Sequence, residues 1–216
     1  MKHLFVFDLD GTLLNTIADL ASAANYALAK LGFAPHMEEN YYQFVGNGIM
    51  KLFERALPEG SRTADNIQKM RALFVPYYNV HKMDKTQPYD GILPLLQELT
   101  RRHVKLAVAS NKYQAATEQL ISHYFAGIPF VSVYGQREGF PAKPDPLLVR
   151  QIMHEAQVNA EETLYVGDSD VDMQTAKNAG VDACAVLWGF RSEKELKACQ
   201  PRFVAKKPAD ILQILH

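Results

Sequence analysis

The stretch that decides the fold runs Leu4-Phe5-Val6-Phe7-Asp8-Leu9-Asp10-Gly11-Thr12. Its apolar first half predicts a strand that is buried on both faces, as strands are inside parallel sheets. Asp8 and Asp10 follow where that strand ends, with Gly11 and Thr12 directly behind them. In α/β proteins the ligand-binding crevice lies beyond the carboxyl ends of the strands. We therefore interpret the acid pair as part of a functional site, in preference to a simple strand end.

Short apolar runs alternate with helical patterns along the rest of the chain. We expect strands at 104–109, 130–134, 163–166, 183–187 and 203–205, and helices near 92–102, 112–125, 145–157, 171–179 and 192–199. Asp145 is the expected N-cap of one helix, and Gly180 is the expected end of the next. The alternation predicts the α/β class, with a doubly wound, Rossmann-like parallel sheet that carries helices on both faces.

The interval from Asp8 to Val104 breaks this alternation, because a parallel crossover needs only about a dozen residues. Helical patterns fill it at 17–31, 37–44, 49–56 and 64–80, separated by glycines and prolines. We expect a small all-helical cap over residues 15–85, inserted after the first strand, and an α/β core formed by residues 1–14 and 86–216. Linkers near 13–16 and 82–88 would allow the cap to close over the crevice.

The composition argues against several classes of protein. A formal net charge of −1 provides no basic patch for nucleic acid or for a membrane surface. No apolar stretch approaches the roughly 18–20 residues that a membrane-spanning helix needs. The N-terminus shows no signal-peptide pattern, and the two cysteines have no metal-like spacing. We expect a cytoplasmic protein without nucleic-acid or membrane partners, acting as a monomer or homodimer.

Polar residues also stand where two later strands are expected to end. Ser110 and Asn111 follow the strand at 104–109, and Asp168 follows the strand at 163–166, with Asp172 beyond it. Lys143 precedes a proline and should therefore be extended, just before a helix. These side chains are suited to a single site at the strand ends, together with the first acid pair.

Several carboxylates in one crevice repel one another and oppose ionisation. A hard divalent cation with oxygen ligands relieves that repulsion, and Mg²⁺ binds in this way through carboxylates, water and substrate phosphate. Lys143 adds a positive charge for an anion, while Ser110, Thr12 and backbone N–H groups add donors. The residues themselves thus predict a phosphate group beside a metal ion.

The order of these motifs resembles that of the haloacid dehalogenase superfamily of phosphohydrolases. The matching motifs are Asp-Leu-Asp-Gly-Thr at 8–12, Ser110 after an apolar strand, Lys-Pro at 143–144 and Gly-Asp-Ser-x-x-Asp at 167–172. A helical insert directly after the first motif is similar to the first cap class of that superfamily. The segments 45–48, 88–91 and 188–190 resemble its phosphoglycolate phosphatase-like branch.

The resemblance implies a role for each matched residue. Asp8 would be the nucleophile that forms an aspartyl-phosphate, and Asp10 would protonate the leaving oxygen and then deprotonate the attacking water. Ser110 and Lys143 would complete the catalytic set by binding the transferring phosphoryl group. The implied ligands of the Mg²⁺ cofactor are Asp8, Asp10 through its backbone carbonyl, Asp168, and Asp172 as an outer or water-mediated ligand.

The implied activity is Mg²⁺-dependent hydrolysis of a small organic phosphomonoester, with 2-phosphoglycolate first among the candidates. A phosphomutase of the β-phosphoglucomutase type, a nucleotidase and a pyrophosphatase remain open, as does a non-enzymatic phosphoaccepting module similar to a receiver domain. The candidate substrate contacts are Thr12, Asn111, Gly46 and Asn47. Two of these residues have a structural alternative: the Thr12 side chain could bond only to nearby backbone, and Asn47 could simply start a helix. Arg191 is expected to be exposed.

Overall fold

A parallel sheet of six strands forms the centre of the protein in the computed structural model, which describes residues 1–215. The strands in chain order are β1 (Leu4–Phe7), β2 (Leu14–Asn15), β3 (Gln87–Pro88), β4 (Lys105–Tyr113), β5 (Phe130–Gln136), β6 (Thr163–Gly167), β7 (Asp182–Val186) and β8 (Phe203–Ala205). The main sheet has the order β5-β4-β1-β6-β7-β8. Because β4 and β6 flank β1, the direction of winding changes at the strand that ends in the acid pair.

Helices cover the sheet on both faces. The helices in chain order are α1 (Ile17–Lys30), α2 (Glu38–Phe44), α3 (Ile49–Ala56), α4 (Ala64–His81), α5 (Ile92–Arg101), α6 (Gln114–Tyr124), α7 (Leu147–Ala156), α8 (Asp170–Ala179) and α9 (Glu193–Ala198), with 3₁₀ turns at Glu59–Ser61 and Pro208–Leu215. Phe5 and Phe7 pack in one buried cluster with α5 and α6, while Leu4 and Val6 pack in another with α7 and α8. Successive side chains of a strand point to opposite faces, so β1 is buried from both sides. The predicted doubly wound α/β fold is confirmed.

The helices α1–α4 share a separate buried cluster, whose largest members include Tyr41, Phe53, Phe74 and Tyr78. This cluster occupies the interval in which a cap was expected. The proposed bounds of that cap, 15–85, and of the core, 1–14 and 86–216, stay predictions.

Two chain segments connect these helices to the main sheet, and they lie side by side. Strand β2 pairs antiparallel with β3. The buried carboxylate of Asp19 in α1 also accepts hydrogen bonds from the backbone N–H groups of Lys85 and Thr86 and from the Thr86 hydroxyl. The two expected linkers are therefore joined to each other by backbone pairing, and one buried acid holds the second linker to α1.

Helix boundaries agree with the sequence patterns to within two residues. The helix expected at 112–125 begins only at Gln114, because β4 runs on to Tyr113. The helix expected at 145–157 begins at Leu147, so its N-cap is Pro146, one residue after the expected Asp145. Asp145 still accepts a hydrogen bond from the Leu147 N–H at 2.9 Å. Gly180 ends α8 in the left-handed conformation, as expected. Across residues 1–215, none of the helices combines the length and the apolar character needed to cross a membrane.

Candidate active site

Three strand ends meet at the acid pair. Phe7, the last residue of β1, is opposite Val108 of β4 and Val166 of β6. Asp8 and Asp168 therefore follow adjacent strands at the same edge of the sheet. Strand β4 runs on past its predicted end at 109 to Tyr113, with an irregular register between Ala109 and Tyr113. This irregular stretch carries the polar residues 110–112, as strand irregularities beside functional sites often do.

A buried lysine joins two of the predicted acids. The Lys143 Nζ lies 2.9 Å from Asp8 Oδ1 and 2.7 Å from Asp172 Oδ1, and it donates to the Tyr165 hydroxyl at 2.9 Å. Burial alone would lower the pKa of Lys143, but the charges of Asp172 and Asp8 hold that pKa well above its usual value. The lysine is therefore a fixed positive charge at the end of β1.

The acids at this edge outnumber the cation beside them. Asp8, Asp168 and Asp172 each place a carboxylate oxygen within 4.8 Å of the others, and all three residues are buried. Burial first, and the charge of Asp172 second, raise the pKa of Asp8 to about 7, although Lys143 acts in the opposite direction. The same two causes raise the pKa of Asp168 well above its usual range. A cluster of buried oxygen donors that resists ionisation fits a hard divalent cation, which would compensate the excess negative charge.

Asp8 has one oxygen engaged and one available. Its Oδ1 accepts from the Leu9 N–H at 2.7 Å and contacts Lys143. Its Oδ2 receives no hydrogen bond from residues 1–215. This geometry orients the carboxylate while leaving one oxygen for a metal ion or a reacting atom.

Asp168 is held by two hydrogen bonds and is closely packed against two glycines. Its Oδ1 accepts from the Thr12 hydroxyl at 3.0 Å, and its Oδ2 accepts from the Phe190 N–H at 2.7 Å. A Cβ atom added to Gly189 would lie 2.2 Å from the Asp168 Cβ, and one added to Gly11 would lie 2.2 Å from Asp168 Oδ2. Glycine at both positions allows this close approach. The Thr12 side chain supports the acid, and its predicted contact with substrate stays a prediction.

Asp172 supports Lys143 and the start of α8 at once. Its Oδ2 accepts from the backbone N–H and the hydroxyl of Ser169, which completes a capping box. Its Oδ1 accepts from Lys143 and from Tyr165. Since both oxygens already accept hydrogen bonds, the geometry suits an outer ligand better than a direct one.

Asp10 has a charged partner that the sequence motifs do not predict. The Lys112 Nζ donates to both carboxylate oxygens of Asp10, at 2.8 and 3.0 Å, and the Thr16 hydroxyl donates to Oδ1 at 2.7 Å. Lys112 is almost fully buried. Lys112 stands two residues after Ser110, and alternate residues of an extended strand point to the same side. This spacing is the sequence feature that could have predicted Lys112 as a residue of the site.

Two of the predicted substrate contacts, Asn111 and Gly46, line one cavity together with the predicted catalytic residues Asp8, Asp10 and Ser110. The other residues that line it are Leu20, Val45, Gly48, Ile49, Leu52, Tyr78, Lys112 and Tyr113.

Asn111 uses its amide on the backbone. It accepts from the Lys143 N–H at 2.8 Å and donates to the carbonyls of Lys143 and Gly46, so it joins the lysine loop to the loop after α2. Asn47 accepts from the Arg55 guanidinium at 2.8 Å and lies outside the residues that line the cavity. Both amides thus bind protein groups, and their predicted contacts with substrate stay predictions.

Arg191 is buried, and the expectation that it would be exposed is wrong. Its guanidinium donates to the backbone carbonyls of Tyr42 and Val45 at the C-terminal end of α2. Phe190 beside it packs edge-on against Tyr42 with ring centroids 5.6 Å apart. The last carbonyls of a helix lack intrahelical partners, which explains why a distant guanidinium binds them.

Known proteins are similar to this chain in sequence and in fold. The family described as haloacid dehalogenase-like hydrolase matches residues 5–186. A phosphoglycolate phosphatase from Vibrio parahaemolyticus is 33% identical over 218 residues, which cover 98% of this chain and 95% of that protein. A crystal structure of a protein from Lactobacillus delbrueckii subsp. bulgaricus superposes with a TM-score of 0.93 at 32% identity, covering 100% of this chain and 99% of that one. A haloacid dehalogenase-like family hydrolase from Streptococcus pneumoniae gives a TM-score of 0.89 at 25% identity, covering 100% of this chain and 99% of that one. These matches confirm the resemblance that the motifs indicated: the chain belongs to the haloacid dehalogenase-like hydrolase family.

Proposed function

We propose that this hydrolase is an Mg²⁺-dependent phosphatase that cleaves a small organic phosphomonoester through an aspartyl-phosphate on Asp8. The observation that carries the proposal is the Lys143 ammonium at 2.9 Å from Asp8 Oδ1, with Asp8 Oδ2 free to react. The relative from Vibrio parahaemolyticus is named a phosphoglycolate phosphatase, which makes 2-phosphoglycolate the first substrate to test. The cytoplasmic location and the state as monomer or homodimer stay predictions.

The residues of the chain divide the reaction between them. In the first step Asp8 Oδ2 attacks phosphorus, the bond from phosphorus to the ester oxygen breaks, and protonated Asp10 transfers its proton to that oxygen. In the second step Asp10 accepts a proton from a water molecule, which attacks phosphorus and breaks the bond to Asp8. Free phosphate and the alcohol are the products.

Positive charge and donors hold the phosphoryl group between these steps. Lys143 offsets its negative charge, and Ser110 accepts from the Lys112 N–H through its Oγ, which leaves the Ser110 O–H for a phosphoryl oxygen. Asp8 and Asp168, with the Asp10 carbonyl, would hold Mg²⁺, and Asp172 would lie in the outer sphere. When bound, the cation supplies compensation for the charge that develops on the phosphoryl oxygens.

Turnover separates this proposal from its alternatives. We expect many equivalents of phosphate per enzyme from p-nitrophenyl phosphate or 2-phosphoglycolate with Mg²⁺, and none after chelation with EDTA. Asp8→Asn should abolish release, whereas Asp65→Asn, which alters an exposed carboxylate in α4, should not. A single stoichiometric phosphorylation without further release would instead support a phosphoaccepting module.

A panel of phosphorylated metabolites then identifies the substrate by the ratio of kcat/KM values. Return of the phosphoryl group to a sugar, in place of release to water, would support a phosphomutase. A preference for nucleoside monophosphates or pyrophosphate would replace 2-phosphoglycolate as the substrate.

A further inference from the structure

The hydroxyl of Tyr78 is buried without a protein partner. Tyr78 lies in α4 and is 0% exposed, and its Oη forms no hydrogen bond to any of residues 1–215. Buried hydroxyl groups are usually paired, because leaving one unpaired loses the hydrogen bonds it would make in water. Burial also raises the pKa of Tyr78 well above its usual value, so the phenol keeps its proton and acts as a donor.

The position of Tyr78 connects this donor to the reaction. Tyr78 lines the cavity that also contains Asp8, Asp10 and Ser110. The Lys112 Nζ lies 4.8 Å from the centroid of the Tyr78 ring. Since the proposed mechanism gives Asp10 the proton for the leaving oxygen, the alcohol part of a substrate must approach this side of the cavity.

Lys112 offers a second donor at the same place. An ammonium group has three N–H bonds. Two of them point to the carboxylate oxygens of Asp10, and the remaining one has no acceptor in the described part of the chain. Tyr78 and Lys112, whose Nζ stands over the Tyr78 ring, thus each carry a donor without an acceptor in the described residues, and Lys112 contacts Asp10.

We propose that Tyr78 and Lys112 bind a carboxylate on the alcohol part of the substrate. A carboxylate presents two acceptor oxygens to two donors, and its charge strengthens both hydrogen bonds. Leu20, Ile49 and Leu52, which also line the cavity, are apolar and give a larger polar group no partners. This proposal rests on the proposed phosphatase function, and it assigns the substrate to the class of phosphorylated small hydroxy acids.

A pair of substrates and a pair of variants test the assignment. 2-Phosphoglycolate carries a carboxylate where ethyl phosphate carries a methyl group. Tyr78→Phe should raise KM for 2-phosphoglycolate about tenfold, the usual effect of losing one charge-assisted hydrogen bond, and should leave kcat/KM for ethyl phosphate unchanged. The melting temperature should stay the same or rise, because an unpaired buried hydroxyl has been removed.

Tyr113→Phe is the matched control. It makes the same chemical change at another residue that lines the cavity, but the Tyr113 hydroxyl already donates to Asn79 Oδ1 at 2.7 Å. It should not alter the preference between the two substrates. Equal effects of Tyr78→Phe on both substrates, or no effect on either, would overturn the assignment.

Binding without turnover separates this inference from the proposed function. Calorimetry with 2-phosphoglycolate in EDTA should show a Kd about tenfold higher for Tyr78→Phe than for the wild type. If the wild type hydrolyses neither substrate but this difference holds, the phosphatase proposal fails and the binding site stands. If the wild type hydrolyses phosphomonoesters and both proteins bind equally, the binding site fails and the phosphatase stands.

Discussion

Replacing Gly189 by alanine tests whether the residues around Asp168 pack as closely as the structure shows. The new Cβ would lie 2.2 Å from the Asp168 Cβ and 2.4 Å from the Gly11 carbonyl oxygen, whereas ordinary contacts begin at 3.4 Å. One neighbour or the other must therefore shift by about 1 Å (3.4 − 2.2). Overpacking of this kind costs about 1–3 kcal/mol of unfolding free energy, or roughly 2–12 °C in Tm for a chain of this size. Displacing Asp168 should also weaken Mg²⁺ binding by about 10–100-fold, the usual effect of disturbing the support of a metal ligand.

Gly60→Ala supplies the control for this substitution. Gly60 lies in the 3₁₀ turn Glu59–Ser61, and a Cβ there would meet nothing within 4 Å. Because the substitution only restricts the unfolded chain, we expect no loss and a gain of up to about 1 kcal/mol. The assays are calorimetric unfolding and a Mg²⁺ titration of phosphatase activity. If Gly189→Ala matched Gly60→Ala in both, the close approach around Asp168 would not constrain the protein.

Three further predictions concern the charged groups. Asp10→Asn should lower kcat by about 10²–10⁴-fold and remove one limb of the pH–rate profile; an unchanged profile would mean that Asp10 is not the acid–base group. Lys143→Met should lower the unfolding free energy of the metal-free protein by about 3–5 kcal/mol near pH 8, because Asp8 and Asp172 then lose their buried counter-charge. The loss should be smaller in acid, where Asp8, whose pKa is about 7, binds a proton; equal losses at both pH values would refute this. The pKa of Asp8 rises from 3.8 to about 7 on folding, so the metal-free folded protein retains a proton that the unfolded chain loses, and stability should fall as pH rises through that window. Mg²⁺ should therefore raise Tm more near pH 8 than near pH 5, and calorimetry at both values would show whether it does.

The sheet and the acids at its edge could be predicted because their determinants are local. Each buried strand is a short apolar run, and Asp8 and Asp168 directly follow such runs, so parallel pairing alone brings them together. Lys143 is far from both in sequence, and its place among them was predicted from the motif order, with the electrostatic need for a cation as physical support.

Contacts between distant loops could not be predicted in the same way. Arg191 binds backbone carbonyls at the C-terminal end of α2, and Asn111 binds the backbone of Lys143 and Gly46. Backbone carbonyls carry no side-chain signature, so their partners become visible only once the chain has folded. The pairing of Lys112 with Asp10 depends likewise on the irregular end of β4, which a propensity pattern does not show.

The most direct test of the account is the location of the phosphoryl group during turnover. Enzyme mixed with excess substrate and Mg²⁺ should be quenched in acid within the first turnovers, digested and mapped by mass spectrometry. We expect a phosphorylated peptide that carries the group on Asp8, and its absence from Asp8→Asn. A phosphoryl group on any other residue, or phosphate release by Asp8→Asn at the wild-type rate, would contradict it.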